Sequence, residues 1–393
     1  ALAARLAEEA IVLVRNDGTL PLARDVRRRI AVIGPNADDP YALLGCYSFP
    51  THVVSQHPGV ALGIRIPTLL EALREEYPDA DIEHVRGTSV DGGELDGIAE
   101  AVALAATADV VILALGDRAG LFGRGTSGEG CDAESLALPG AQQLLVDAVL
   151  DAGIPAVVVM LAGRPYALGR AVQEAAGIVE AFFAGEEGGA AIAGVLSGRV
   201  EPSGRLPVSI PRTSGSQPTT YLAAPLARAT DVSNIDPSPA YPFGHGLSYA
   251  AFEWSDLVSE TDEASTDGAF SLSLRIANTG ARDGVEVVQL YLHDPVAEVP
   301  RPVQRLIGYA RVALAAGEAA DVRFRVPADL ASYTGRALVR IVEPGALVLS
   351  AGRSSGDLVS SVEVALTGSV RVVDHTRALV PMVEVALAAR VVS

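Results

Sequence analysis

Cysteine, methionine, tryptophan and histidine are scarce: the 393 residues hold two, two, one and six of them, and aromatic side chains make up 5%. Cys46 and Cys131 lie far apart and fit no CxxC metal or redox spacing. Two buried thiols is the simple reading, and a single bridge between them the alternative. His52, His57, His84, His245, His293 and His375 form no HExxH or other compact ligand pattern, which argues against a metal site. Basic residues are outnumbered 30 to 48, giving a net charge of -18, so a phosphate backbone is repelled and no nucleic-acid partner is expected. Long apolar runs are absent as well. Val110 to Leu115 and Ile154 to Ala162 fall short of the roughly 18 to 20 residues that span a bilayer, so no membrane partner is expected. Ala1 to Ala10, with Arg5, Glu8 and Glu9, reads as a helix rather than a secretory signal.

What is present is a core-forming composition, 49% hydrophobic and 20% charged. The length exceeds one ordinary core and predicts two domains. From Arg29 to about Val200, apolar runs alternate with helical patterns, as in a mostly parallel α/β sheet. Strands are expected at Ile30 to Ile33, Val110 to Leu115, Pro155 to Leu161 and Ile178 to Phe183. Helices are expected at Leu69 to Glu76, Gly97 to Ala106, Gly140 to Ala152 and Gly188 to Leu196, with Pro139-Gly140 marking a start. Pro, Gly and Ser then thicken, so 213–251 reads as a wrapping segment between an α/β domain at 1–212 and a second domain at 252–393. That second domain alternates: Ala269 to Asn278, Val285 to His293, Leu306 to Leu314, Ala319 to Val326, Leu338 to Val342 and Ala346 to Ala351. The spacing predicts an all-β, fibronectin type III-like sandwich, to which Val370 to Val392 adds strands.

The least ordinary stretch, Gly116 to Asp132, reads GDRAGLFGRGTSGEGCD. Its glycines predict a flexible loop, at the carboxyl end of a strand where α/β sheets gather ligands. It lacks both the Lys-Ser/Thr of a P-loop and an ordered GxGxxG, which argues against phosphate binding. Gly-Thr-Ser-Gly-Glu around Ser127 approaches a nucleophile elbow with one glycine displaced, leaving a serine hydrolase with His245 or His375 as a minor alternative. The chemistry that remains is carboxylate. Glu129, between Gly128 and Gly130, is placed to give a proton over a neighbouring pocket, and Asp132 or Glu134 are substitutes for it. Glycoside cleavage needs one carboxylic acid to protonate the leaving oxygen and a second carboxylate as nucleophile; only the first is evident here. Asp117 and Arg118 either bind sugar hydroxyls or pair with each other as scaffolding, the simpler reading. Phe122 suits an apolar sugar face and Arg124 sugar hydroxyls, or both brace the loop. His245 reads as a structural side chain and Trp254 as an anchor of the second domain.

Gly-Glu-Gly-Cys-Asp followed by Leu136 to Gly140 resembles the acid/base loop of family 3 glycoside hydrolases, and other blocks agree in order. Glu9 to Asn16 with Leu20-Pro21-Leu22 resembles the family's opening helix, Ile30 to Asn36 its first strand, and Gly163-Arg164-Pro165 a mid-domain turn. Ala184 to Gly189, Pro202 to Pro207 and Tyr241 to Tyr249 are similar to blocks closing that domain. Asn278-Thr279-Gly280, Val287 to Tyr291 and Leu306 to Tyr309 resemble the sandwich appended to it.

By this resemblance Glu129 is the general acid/base of a retaining exo-β-glycosidase, whose nucleophile is an aspartate in an N-terminal barrel, commonly within Ser-Asp-Trp or Ser-Asp-Tyr. Ser255-Asp256 echoes that motif but opens the second domain and reads as structural. A barrel needs about 250 residues, more than fit beside two domains. The expectation is therefore a C-terminal portion, inactive alone, with the barrel of the same protein as partner. The substrate implied is a β-linked oligosaccharide or glycoside, a terminal β-xyloside or β-glucoside. General likeness of Leu121 to Asp132 to bacterial xylosidase-like members leans towards xylosides. Ala133 stands where many relatives carry arginine, so an ion pair made there is absent. No cofactor is required. The competing reading is a non-catalytic carbohydrate-binding or scaffold module.

Overall fold

The computed structural model describes every residue except 58, 217–219, 225, 226, 228 and 389–393. The chain forms two compact units. One is Ala1–Arg205 with Ile210–Thr219 and Pro239–Tyr241; the other is Pro242–Ser393 with Leu206–Ser209 and Thr220–Ser238. The Pro- and Gly-rich segment is thus shared between the units rather than standing as a body of its own.

The first unit is built on a six-stranded sheet. Its strands are β1 (Val12–Asn16), β2 (Arg29–Ile33), β3 (Asp81–Val85), β4 (Val110–Gly116), β5 (Ala156–Leu161) and β6 (Gly177–Glu180), in the order β1-β6-β5-β4-β2-β3. All pairings are parallel except that of β1 with β6. Every residue of β4, β5 and β6 is buried, which explains the unbroken apolar character of β4 and β5; β6 breaks it only at its last residue, Glu180. The helices are α1 (Leu2–Ala10), α2 (Phe49–His52), α3 (Leu69–Glu76), α4 (Ile98–Ala105), α5 (Gln142–Asp151), α6 (Ala171–Glu174) and α7 (Gly188–Ser197). α1 and α3 pack against α7, while α4 and α6 pack against α5. Thr68 and Glu71 close a capping box at the start of α3, the local reason this helix begins where it does.

Three expectations need correction here. The block from Glu9 to Asn16 is not one helix: α1 stops at Ala10, Ile11 is extended, and β1 joins the sheet edge. A buried run containing Ile11, Val12 and Val14 favours a strand over further helix. The strand expected to reach Phe183 ends at Glu180, because the chain turns at Phe182, whose φ is 52°. Gly140 precedes α5 rather than opening it, with φ 58° and the helix starting at Gln142.

In the second unit, one sheet orders Met382–Leu387, Ala319–Pro327, Ala269–Asn278 and Phe252–Trp254, with Val258–Ser259 also pairing with Ala269–Asn278. A second orders Arg305–Leu314, Gly284–His293, Gly345–Ser354, Asp357–Thr367 and Glu263–Ser265. Alternate residues such as Leu272, Leu274 and Ile276 on one strand and Val288, Leu290 and Leu292 on another fill a shared apolar core. Trp254 packs partly buried against that core, with the Arg353 guanidinium 5.2 Å from its ring centroid. Tyr333–Thr334, Arg340–Val342 and Arg371–Val372 make a small third sheet. Leu338 lies in a turn with φ 59°, so the strand expected there begins at Arg340. Asp357–Thr367 was not anticipated as a strand. Of the closing segment, Arg371–Val372 and Met382–Leu387 are strands, and Val391 and Val392 lie outside the described residues.

The fold is therefore a mostly parallel α/β sandwich followed by an all-β fibronectin type III-like sandwich. No helix among the described residues is long and apolar enough to cross a membrane.

Candidate active site

Parallel pairing puts the carboxyl ends of β2, β4, β5 and β6 at one edge of the sheet, and the segments that follow them meet there. The hub is Asp117, the residue after β4, only 1% exposed. Its Oδ1 accepts from Tyr166 Oη at 2.5 Å and Thr126 Oγ1 at 2.7 Å, and its Oδ2 from the Gly163 N–H at 2.8 Å. Asn36, after β2, donates Nδ2–H to the Asp117 carbonyl at 2.9 Å. A buried carboxylate is tolerable when hydrogen bonds replace its water, and three donors do so here. Burial and the Asp117 charge raise the Tyr166 hydroxyl well above its usual range, so it stays a donor. Gly116 lets this happen at close quarters: with φ 138°, a Cβ there would meet the Leu161 carbonyl oxygen at 2.1 Å.

Beyond Asp117 the loop doubles back on itself. The Thr126 N–H donates to the Arg118 carbonyl at 2.8 Å, Gly120 N–H to Ser127 O at 2.9 Å, and Phe122 N–H to Glu129 O at 2.8 Å. The glycine-rich segment is thus a laced, ordered loop, and the expectation of looseness is corrected. Its glycines serve backbone contact instead. A Cβ on Gly128, whose φ is 127°, would sit 2.1 Å from the Gly120 oxygen and 2.8 Å from Cys46 Cβ. Arg164 spans the loop from below, donating Nη1–H to the Thr126 carbonyl and Nη2–H to the Cys131 carbonyl, one on each side of Glu129. Glu129 itself is exposed at the tip, where Oε2 accepts from Tyr47 Oη at 2.5 Å. That bond raises the Tyr47 hydroxyl above its ordinary value.

The other sequence-derived residues fall into place unevenly. Arg118, Phe122 and Arg124 line one groove of about 460 Å³ with Asp39, Tyr41 and Gln56, whereas Glu129 is not part of its wall. Phe122 is 69% exposed with φ 55°, an unfavourable backbone for a bulky residue. Asp117 and Arg118 do not pair with each other. Arg118 forks onto Asp91 instead, at 2.5 and 3.2 Å, because adjacent residues on an extended segment point to opposite sides. Asp132 and Glu134 are exposed, and Ser127 is 7% exposed inside the loop ladder. Cys46 and Cys131 are both free thiols, so the bridge is not formed. Half-buried His245 accepts from the Leu206 N–H through its carbonyl at 2.8 Å. Among the described residues, no three His, Cys, Asp or Glu side chains are grouped to hold a metal.

Five residues of the site escaped sequence reasoning: Tyr47, Asp91, Arg164, Tyr166 and Glu180. Gly163-Arg164-Pro165 stood out only as a turn, and Tyr47 lies in an aperiodic stretch. Glu180, the last residue of β6, is 2% exposed, its Oε1 has no hydrogen-bond partner among the described residues, and burial, aided by the Asp117 charge and opposed by a backbone hydrogen bond at Phe182, raises its carboxyl well above the ordinary 4.5. Burial thus disfavours its ionised form at the carboxyl end of β6.

The pattern of glycosyl hydrolase family 3 C-terminal domains matches residues 11–249, and that of fibronectin type III-like domains matches 286–355. A β-xylosidase of Formosa agariphila is 33% identical over 365 residues, covering 90% of this chain and 48% of its own length. A periplasmic β-glucosidase of Salmonella typhimurium is 33% identical over 375 residues, covering 87% and 47%. Among solved structures, a β-glucosidase from Erythrobacter marinus is similar with a TM-score of 0.81 at 33% identity, over 93% of this chain and 50% of that one. The chain spans about half the length of the curated relatives it matches. It belongs to glycosyl hydrolase family 3, as a C-terminal α/β domain of that family followed by a fibronectin type III-like domain.

Proposed function

We propose that this chain supplies the general acid/base of a retaining exo-β-glycosidase, and that Glu129 is that residue. The observation that carries the reading is an exposed carboxylate at the tip of a loop whose two flanks are fastened by one guanidinium. In the first step Glu129 gives its proton to the glycosidic oxygen while a carboxylate nucleophile attacks the anomeric carbon. In the second, ionised Glu129 takes a proton from the water that releases the sugar from the nucleophile. The nucleophile belongs to an N-terminal barrel of the same protein. The substrate is a terminal β-xyloside or β-glucoside, with xylosides favoured by the general character of Leu121 to Asp132. Arg118, Phe122 and Arg124 contact the substrate along the groove they line. The chain by itself is inactive, and no cofactor takes part.

The test is Glu129→Gln in protein carrying this chain together with the barrel. Activity on glycosides with poor leaving groups is expected to fall about 10²- to 10⁴-fold, and activity on activated aryl glycosides far less. Equal losses on both would argue against an acid role. Comparing aryl xylosides with aryl glucosides on the unaltered protein decides the sugar.

A further inference from the structure

Glu129 has two oxygens, and they are not equivalent. Oε2 accepts from the Tyr47 hydroxyl at 2.5 Å, while Oε1 has no hydrogen-bond partner among the described residues. Tyr47 does not reach this position by chance of a long side chain. The residue before it, Cys46, packs against the residue before Glu129, Gly128, so tightly that a single added carbon would collide at 2.8 Å. Two successive residues of one segment are therefore stitched to two successive residues of the other. The Tyr47 ring is braced on its far side by His52 of α2, edge-on at 5.9 Å between centroids. α2 is set in turn by the Ser48 side chain, which accepts from the Thr51 N–H.

We infer that Tyr47 is a positioning residue that holds Oε2 of the proposed acid, leaving Oε1 as the atom that transfers the proton. This inference rests on Glu129 being the acid/base. A carboxylate on a loop tip rotates freely about its last bonds, and the proton must arrive along a narrow approach to the glycosidic oxygen. One fixed hydrogen bond to Oε2 removes that rotation without occupying the second oxygen. The contact is local to the acid loop and asks nothing of the sugar, so it serves both the protonation step and the later activation of water.

Tyr47→Phe keeps the ring and its contact with His52 and removes only the donor. In the same barrel-containing protein, kcat/KM on glycosides with poor leaving groups is expected to fall about tenfold, the scale of one hydrogen bond to a charged group. On activated aryl glycosides, where release of the sugar limits turnover, kcat and KM are expected to fall together and leave kcat/KM near its original value. A residue with only a structural role would lower kcat/KM for both substrates alike, and that result overturns the inference. If Glu129→Gln shows the leaving-group dependence but Tyr47→Phe behaves as the unaltered protein on both substrates, Glu129 keeps its role and the positioning by Tyr47 is overturned. If Glu129→Gln loses activity equally on both, the acid assignment fails and this inference with it.

Discussion

Asp117 and Glu129 are two carboxylates of the same loop, and they live under opposite conditions. Asp117 at the stem is sealed from solvent and satisfied by three donors. Glu129 at the tip is open to solvent and, among the described residues, has a single donor on one oxygen and none on the second. A carboxylate surrounded by donors is a fastening, since every lone pair that matters is spent and moving it costs several bonds at once. An exposed carboxylate with an idle oxygen is available for proton transfer. The loop separates these two tasks by residue position, and Arg164 joins them mechanically.

The comparison breaks most visibly at the stem. Asp117→Ala strands the Tyr166 hydroxyl, the Thr126 hydroxyl and the Gly163 N–H, and is expected to cost about 3 to 5 kcal/mol, measured by denaturant unfolding. Arg164→Ala follows, at about 1 to 3 kcal/mol with a larger fractional loss of activity, because the Thr126 and Cys131 carbonyls lose their shared donor. Arg164→Lys is expected to restore little, since one ammonium cannot bridge both carbonyls as a planar fork does. A smaller effect sharpens the stem alone. Glu180 is raised by burial, so its contribution to stability is full below 4.5 and is lost as pH rises through its elevated value. Within that window stability should decline by about 1.4 kcal/mol per pH unit, and Glu180→Gln should flatten the decline. An unchanged slope in the variant would place the titrating group elsewhere. At the tip, Glu129→Gln should leave the unfolding midpoint where it was, in contrast to its effect on turnover.

How much of this was legible follows from which signals are local. β4 and β5 announce themselves because both faces are buried, so nearly every residue from Val110 to Leu115 and from Ala156 to Leu161 is apolar. Ala269–Asn278 shows the period of two, since one face meets the core. β3 was missed because it is an edge strand, with Asp81 and Glu83 exposed among its five residues. Asp357–Thr367 was missed although its second half alternates, with Val362, Val364 and Leu366 turned to the core between exposed Ser361 and Glu363; its first half, Asp357 to Ser360, is exposed or half-buried and shows no such pattern. In the site, Glu129 stood out by its flanking glycines. Its surroundings did not, because Tyr47 and Arg164 come from segments after other strands and meet the loop only through parallel pairing. Arg118 shows the limit plainly: its neighbour in sequence suggested a partner, and the geometry of an extended segment gave it Asp91 instead.

Both hydrogen bonds of the Arg164 clamp go to main-chain carbonyls of the loop. Its hold is therefore indifferent to what the residues between those carbonyls and the stem carry. Phe122 and Arg124 project from a span anchored through peptide groups and through the Thr126 and Arg118 side chains, so exchanging Phe122 and Arg124 leaves the anchors in place. On the proposed reading, the acid and the surface that meets the substrate are separable parts, and selection for a new glycoside can rewrite the second while inheriting the first.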